Sequence, residues 1–323
     1  MSKLMNSVKT LAAVALVTVA AGAQAAWPER AVQWVVPYPA GGGSDVIARL
    51  VATGLETSLG QTVVVENKPG AATIIGATFV QNAAADGYVM GTADSGTLAY
   101  NPSLYSKLQY DPEKFTYIGG LARFPLMLAV NEASPFKTVQ DVIKAAREKP
   151  GSLSSASAGA GSPHHLALEM FKQRADVNIL HVPYKGAAPA LQDLIGGQVD
   201  IGFVDSAAAL SNIKAGKLRV LAVATPERIA LLPDVPTMAE AGVENFNAYA
   251  WQGLVGPAGM PDEAVKKLSA DLQAALKQPE IADKIRAMGV EPLPMTAQDF
   301  KQYADAQRTE WAEVIDKAGI KLD

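Results

Sequence analysis

The segment Val35-Val36-Pro37-Tyr38-Pro39-Ala40-Gly41-Gly42-Gly43-Ser44-Asp45 limits what this chain can fold into more than any other. The apolar run Val32 to Val36 ends in a proline-flanked glycine triplet. From Asp45 onward Val46, Ile47, Leu50, Val51 and Leu55 recur at helical spacing. The pattern predicts a strand, a tight turn and a helix whose free N–H groups face back towards the turn. The first four amides of a helix have no internal partner, and the helix dipole adds partial positive charge there, so the turn suits an anion. The structural alternative is a plain turn in which Ser44 or Asp45 caps the helix. The segment has neither the G-x-G-x-x-G spacing of a dinucleotide fingerprint nor the Gly-Lys-Ser/Thr that ends a P-loop.

The same plan recurs along the chain. Strands are predicted at Val32–Val36, Val63–Glu66, Val89–Thr92 and Leu126–Val130, with helices at Asp45–Ser58 and Ile74–Ala84. Such βαβ alternation argues for a parallel sheet covered on both faces. Near Pro125 a second series begins, with a helix at Val139–Glu148 and a strand at Ser152–Ser157. The turn Ala158-Gly159-Ala160-Gly161-Ser162-Pro163 follows, then a helix from about His164 to Gln173. Strands Ile179–Val182, Ile201–Val204 and Arg219–Val223 alternate with helices Ala188–Ile195 and Ala207–Ala215. After Trp251–Val255 the chain becomes helical, from Pro261-Asp262-Glu263 and again from Ala297 to Lys317. Two α/β lobes with helical packing at the end describe a hinged, two-lobe binding protein. Ligands of open α/β sheets sit at the carboxyl ends of strands, so both glycine turns are expected to meet in one cleft.

Composition narrows the partners. Lys3 and Lys9, the apolar stretch Leu11 to Ala20 and the pattern Ala23-Gln24-Ala25 read as a signal peptide cleaved after Ala25. A transmembrane anchor needs about 20 apolar residues, more than this run supplies. No cysteine is present among the 323 residues, which excludes both a lipoprotein anchor and disulfides. Removing the two lysines takes the net charge from −4 to −6. An acidic surface opposes nucleic-acid and anionic-lipid binding, so an anionic ligand must be held by local donors. The expected chain is exported, periplasmic and monomeric.

Several residues carry candidate chemistry. The second turn, Ala158, Gly159, Ala160, Gly161 and Ser162, is as suited to an anion as the first, and Pro163 favours a defined helix start over a flexible loop. His165 and Glu169 lie four apart on one helix face, but no other histidine or carboxylate cluster completes a tetrahedral metal set, so no metal or cofactor is expected. No G-x-S-x-G elbow appears, and Ser162 beside His164 and His165 is nearness in sequence, so a serine hydrolase is a minor alternative. A third turn carries Tyr184 and Lys185, which line the cleft or serve as a packing tyrosine and a surface lysine. Asp205 ends a strand; it accepts from a ligand or caps the next helix.

Seven short stretches, in this order, resemble the Bug family, the TctC-like periplasmic solute-binding proteins of tripartite tricarboxylate transporters. They are Pro39 to Asp45 with Ala48-Arg49; Glu66-Asn67-Lys68-Pro69-Gly70-Ala71; Asn101-Pro102-Ser103-Leu104-Tyr105; Gly161 to Leu166; and Val182 to Gly186. Asp193-Leu194 through Asp200, and Leu231 to Thr237 through Glu240-Ala241-Gly242, complete the set. The resemblance implies a Venus-flytrap, type II-like fold, each lobe a mostly parallel sheet flanked by helices. Lobe 1 is expected over 26–124 plus 251–323 and lobe 2 over 125–250. It further implies closure on a small carboxylate, an organic acid or acidic amino acid, which is delivered to membrane permease subunits. A ligand sensor for a periplasmic kinase is the alternative within this fold. The carboxylate would be held by the first turn of each lobe: Tyr38, Pro39, Ala40, Gly41 and Gly42, and Ala158 to Ser162. Gly70, Ala71, Ser95, His165, Tyr184, Lys185 and Asp205 complete the expected site. Ala72-Thr73 stands where the family commonly has small glycine-rich positions.

Overall fold

The computed structural model describes residues 27–323; the expected signal peptide, 1–25, lies outside them. The chain opens with β1 (Val32–Val36), α1 (Gly43–Leu59), β2 (Val63–Asn67), α2 (Ile74–Gln81) and β3 (Val89–Asp94). A short α3 (Asn101–Leu104) leads into β4, 16 residues from Thr116 to Asn131. The second series is α4 (Val139–Glu148), β5 (Ser154–Ser157), α5 (Pro163–Ala175), β6 (Leu180–Pro183), α6 (Ala187–Ile195), β7 (Ile201–Asp205), α7 (Ser206–Lys214) and β8 (Leu218–Val223). Then come β9 (Tyr249–Gly256), α8 (Asp262–Lys277), α9 (Pro279–Ala287), β10 (Glu291–Pro292) and α10 (Ala297–Ala318).

The two lobes share a plan. Strand β1 pairs in parallel with β2 and β3, and β5 pairs in parallel with β6 and β7. Each lobe therefore has a parallel trio in the order second–first–third. Antiparallel strands extend both trios, so the sheets are mixed. Strand β9 joins β3 and β4 in the first lobe, with β10 added to β4, while β7 and β8 flank β4 in the second. Helix α1 buries Ile47, Val51 and Leu55 against the first sheet. It stops at Gly60, whose left-handed backbone returns its N–H to the Glu56 carbonyl.

Strand β4 is longer than the predicted Leu126–Val130 and runs through Gly119, Gly120 and Pro125. The glycines have a packing reason. A Cβ at Gly120 would stand 2.5 Å from the Leu293 carbonyl oxygen, so the strand tolerates glycine to let the chain before α10 pass close over it. Pro279 divides the helical tail into α8 and α9, a division the sequence reading did not make. Helix α10 then ties the lobes: Gln173 on α5 donates to the Val314 carbonyl at 2.9 Å, while Arg308 donates to the Leu98 carbonyl at 3.0 Å. Gln307 on the same helix accepts from the indoles of Trp251 and Trp311.

Gly253, on β9, packs under Phe300 of α10. A methyl there would overlap the Phe300 ring and stand 2.6 Å from the Gly119 carbonyl oxygen. We expect Gly253→Ala to destabilise the fold by about 1–3 kcal/mol through overpacking. Urea unfolding should show a lower midpoint at unchanged slope; an unchanged midpoint would contradict this packing account.

Candidate functional site

In a second–first–third order, the crevice opens where the first strand's connections leave to opposite sides, at the carboxyl ends of the first and third strands. Residues after β1 and β3, and after β5 and β7, line one cleft of about 850 Å³. Lobe 1 contributes Tyr38, Pro39, Gly41 to Ser44, Asp94 and Ser95. Lobe 2 contributes Pro163, His164, Ala187, Asp205, Ala207 and Ala208. Phe124, Trp251 and Met288 add apolar wall, and Lys214 brings an exposed cation from the far end of α7.

The first turn is held by Asp45, which is only 3% exposed. Its carboxylate accepts from the Gly41 N–H at 2.9 Å, the Asn67 amide at 2.9 Å and the Arg49 guanidinium at 3.0 and 3.1 Å. Asn67 also donates to the Tyr38 carbonyl at 3.0 Å, so β2 braces the turn that follows β1. The Gly42 N–H goes to the Pro39 carbonyl. Thus Gly41 and Gly42 spend their donors inside the turn. The N–H groups of Gly43, Ser44 and Asp45 have no partner among the described residues, and they are the donors left for an anion.

The second turn is arranged differently. The Gly159 N–H donates to Ser157 Oγ, the Gly161 N–H to His165 Nδ1 and the Ser162 N–H to the Gly159 carbonyl. Ser162 Oγ caps α5 by accepting from the His165 amide at 3.3 Å. The turn packs towards Leu104 and Leu322, and neither Gly159, Ala160, Gly161 nor Ser162 lines the cleft; Ala158 lines a small pocket beside it. Lobe 2 reaches the cleft through the N-termini of three helices: Pro163 and His164 on α5, Ala187 on α6, and Ala207 and Ala208 on α7. His165 stacks on His181 at 3.7 Å, and burial holds both imidazoles down to about 4, so they are neutral at pH 7. With Nδ1 taken by Gly161, His165 is not placed as a base for Ser162. Among the described residues no cluster of three metal-ligating side chains occurs, and no helix is long and apolar enough to cross a membrane.

Other expected residues are dispersed. Tyr38, Pro39, Gly41, Gly42, Ser95 and Asp205 line the cleft; Ala40, Gly70, Ala71, His165, Tyr184 and Lys185 do not. The Tyr184 hydroxyl donates to Asp193 at 2.7 Å, and that carboxylate bond raises the phenol to about 12. Lys185 is exposed. Asp205 takes both suggested places. It lines the cleft, caps α7 by accepting from the Ala208 N–H at 2.8 Å, and pairs with His164 at 3.3 Å. Burial raises the Asp205 carboxyl, but His164 and the amides outweigh it and hold it low. Residues missed by sequence reasoning include Asp94, Phe124, His164, Trp251 and Gln252, and the helix starts at Gly43, Ser44, Ala187 and Ala207. Asp94 had a signal, since it ends a strand as Asp205 does. Its Oδ1 accepts from the Thr97 N–H and hydroxyl, both at 2.8 Å, and its other oxygen from Tyr38. Burial and then the Asp94 charge push the Tyr38 phenol well above its ordinary value, so it stays a neutral donor.

Two predictions concern the frame of the site. Burial raises the Asp45 carboxyl, but Arg49, the Gly41 N–H and Asn67 together hold it below its ordinary value. Its stabilisation is therefore present above about pH 4 and lost as pH falls through the depressed value. Asp45→Asn should lose about 1–3 kcal/mol at pH 7, a gap that narrows in acid; a gap independent of pH would refute the assignment. Separately, Ala71, Ala72 and Thr73 adopt φ of 46°, 50° and 73°. This left-handed stretch is pinned by the Thr73–Thr97 hydroxyl bond at 2.7 Å and by Asn101 donating to the Ala72 carbonyl at 2.9 Å. Because that conformation costs an L-residue about 1–2 kcal/mol, Ala72→Gly should raise the melting temperature; a lower one would contradict it.

Comparison with known proteins identifies the fold and the family. The model of the tripartite tricarboxylate transporter family receptor matches residues 47–320. Protein BugT of Bordetella pertussis is 33% identical over 325 residues, spanning 98% of this chain and all of that protein. Among solved structures, Rpa4515 of R. palustris with adipate superposes with TM-score 0.83 at 36% identity, covering 92% of this chain and 100% of that one. MatC from Rhodopseudomonas palustris with bound malate gives 0.78 at 32%, covering 90% and 100%. The chain belongs to the Bug family, the TctC-like periplasmic receptors of tripartite tricarboxylate transporters.

Proposed function

We propose that this chain captures a small carboxylate between its lobes and presents it to the membrane subunits of a tripartite tricarboxylate transporter. One observation carries the reading: four helix N-termini, those of α1, α5, α6 and α7, stand on the walls of one cleft. Unpaired helix amides and their dipoles favour an anion, and here they work against a net negative surface. The relatives solved with adipate and with malate support the same ligand class.

The residues assigned to the ligand are the amides of Gly43 and Ser44, the Ser95 hydroxyl, and the lobe 2 wall at His164, Ala187 and Ala207, with the Tyr38 ring as part of the lobe 1 wall. The lobes are taken as 26–124 with 251–323, and 125–250. The mature chain, cleaved after Ala25 and without a lipid anchor, acts as a monomer and does not bind nucleic acid. A ligand that touches both walls interacts more strongly with the closed form, and this difference shifts the population. No bond is made or broken.

A thermal-shift screen of mono-, di- and tricarboxylates tests this. A true ligand at about 100 times its dissociation constant should stabilise the protein by about 2.7 kcal/mol, raising the melting temperature by several degrees. Small-angle scattering should show a smaller radius of gyration with that ligand. If no carboxylate shifts the melting temperature, the proposal falls.

A further inference from the structure

The cleft holds an amide that the fold does not use. Gln252 on β9 lines it and is 2% exposed, yet neither its Nε2 nor its Oε1 has a hydrogen-bond partner among the described residues. Ser95 also lines it and is 1% exposed; its Oγ makes no well-formed hydrogen bond, and its polar neighbour, the buried Tyr100 hydroxyl, makes none either. Gln252 is the cross-strand partner of Asp94, and such opposed side chains have Cβ atoms about 4.5–5.5 Å apart; Ser95 is the next residue after Asp94 and lines the same cleft. On its other side Gln252 faces Ala122 of β4, whose side chain offers no polar group. A buried polar group without a partner is destabilising, and an apolar side chain of the same shape would avoid that cost.

We propose that Gln252 and Ser95 form a subsite that reads a second, uncharged group on the ligand, a hydroxyl or a carboxamide that both donates and accepts. The proposal rests on the carboxylate reading of the cleft. The Gln252 amide supplies one donor side and one acceptor side, and the Ser95 hydroxyl supplies either. A second carboxylate would meet only the donors and would set its charge beside Asp94, whose oxygens are already engaged by Tyr38 and Thr97. An ammonium leaves Nε2 unpaired, and an alkyl end leaves every group unpaired. Because the amide is screened from water, solvent does not repair a mismatch, and discrimination is correspondingly steep.

Titration calorimetry on the full mature chain decides this with straight-chain monocarboxylates of graded length. Their far ends would be methyl, hydroxyl, carboxamide, ammonium or a second carboxylate. At the best length, the hydroxyl or carboxamide form should bind roughly tenfold or more tighter than the other three. Gln252→Leu should abolish that preference and raise the melting temperature of the ligand-free protein. Should Gln252→Leu fail to fold, Ser95→Ala carries the comparison and should reduce the same preference. Tightest binding by the dicarboxylate, the ammonium or the methyl form, or a preference that survives both substitutions, overturns the subsite while carboxylate capture stands. No binding by any member of the series overturns both.

Discussion

The structure depends on one strand belonging to two sheets. From Thr116 to Pro125, β4 is hydrogen-bonded to β9; from Leu126 to Asn131 it is bonded to β7 and β8. The ladder changes partners at Pro125–Leu126, where proline supplies no N–H. Both lobes are thus built from a common strand, and the cleft opens above the point where its pairing changes. Phe124, just before that point, and Trp251 on the neighbouring β9 form part of the cleft wall. The site and the junction of the lobes are the same region of the molecule.

That region must receive an anion while containing carboxylates, and the structure shows how the conflict is reduced. Asp45 is spent on the turn after β1, Asp94 on Tyr38 and Thr97, and Asp205 on His164 and the start of α7. Asp45 and Asp205 fix the helix starts at Gly43-Ser44 and Ala207-Ala208, which line the cleft. Negative side chains are thereby converted into rigidly held positive backbone ends. The two glycine turns have diverged in this respect. The first leaves amides free at Gly43 to Asp45, whereas in the second the Gly159, Gly161 and Ser162 amides are spent inside the turn and the helix starts beside it line the cleft.

Much of this was legible in the sequence because it is local. The Val32–Val36 strand, the glycine turn and the α1 stripe of Ile47, Val51 and Leu55 are set by residue type and spacing alone, and the second series repeats them. Those patterns fix the α/β class, the two similar halves and the ends of the strands at which a ligand sits. Strand β4 was half hidden because Gly119, Gly120 and Pro125 break a local pattern for non-local reasons, namely the close passage of the segment before α10 and the change of sheet.

The sequence by itself determined which turns have the chemistry to meet an anion, since free helix amides and glycine follow from the local chain. Only the tertiary structure decided which of those donors remain free. A hydrogen bond such as Gly161 N–H to His165, or Asp45 to Asn67 across 22 positions, consumes a group that the sequence leaves open. The tertiary structure also decided that Gln252 stands beside Asp94, because strand pairing brings together residues that no spacing along the chain relates.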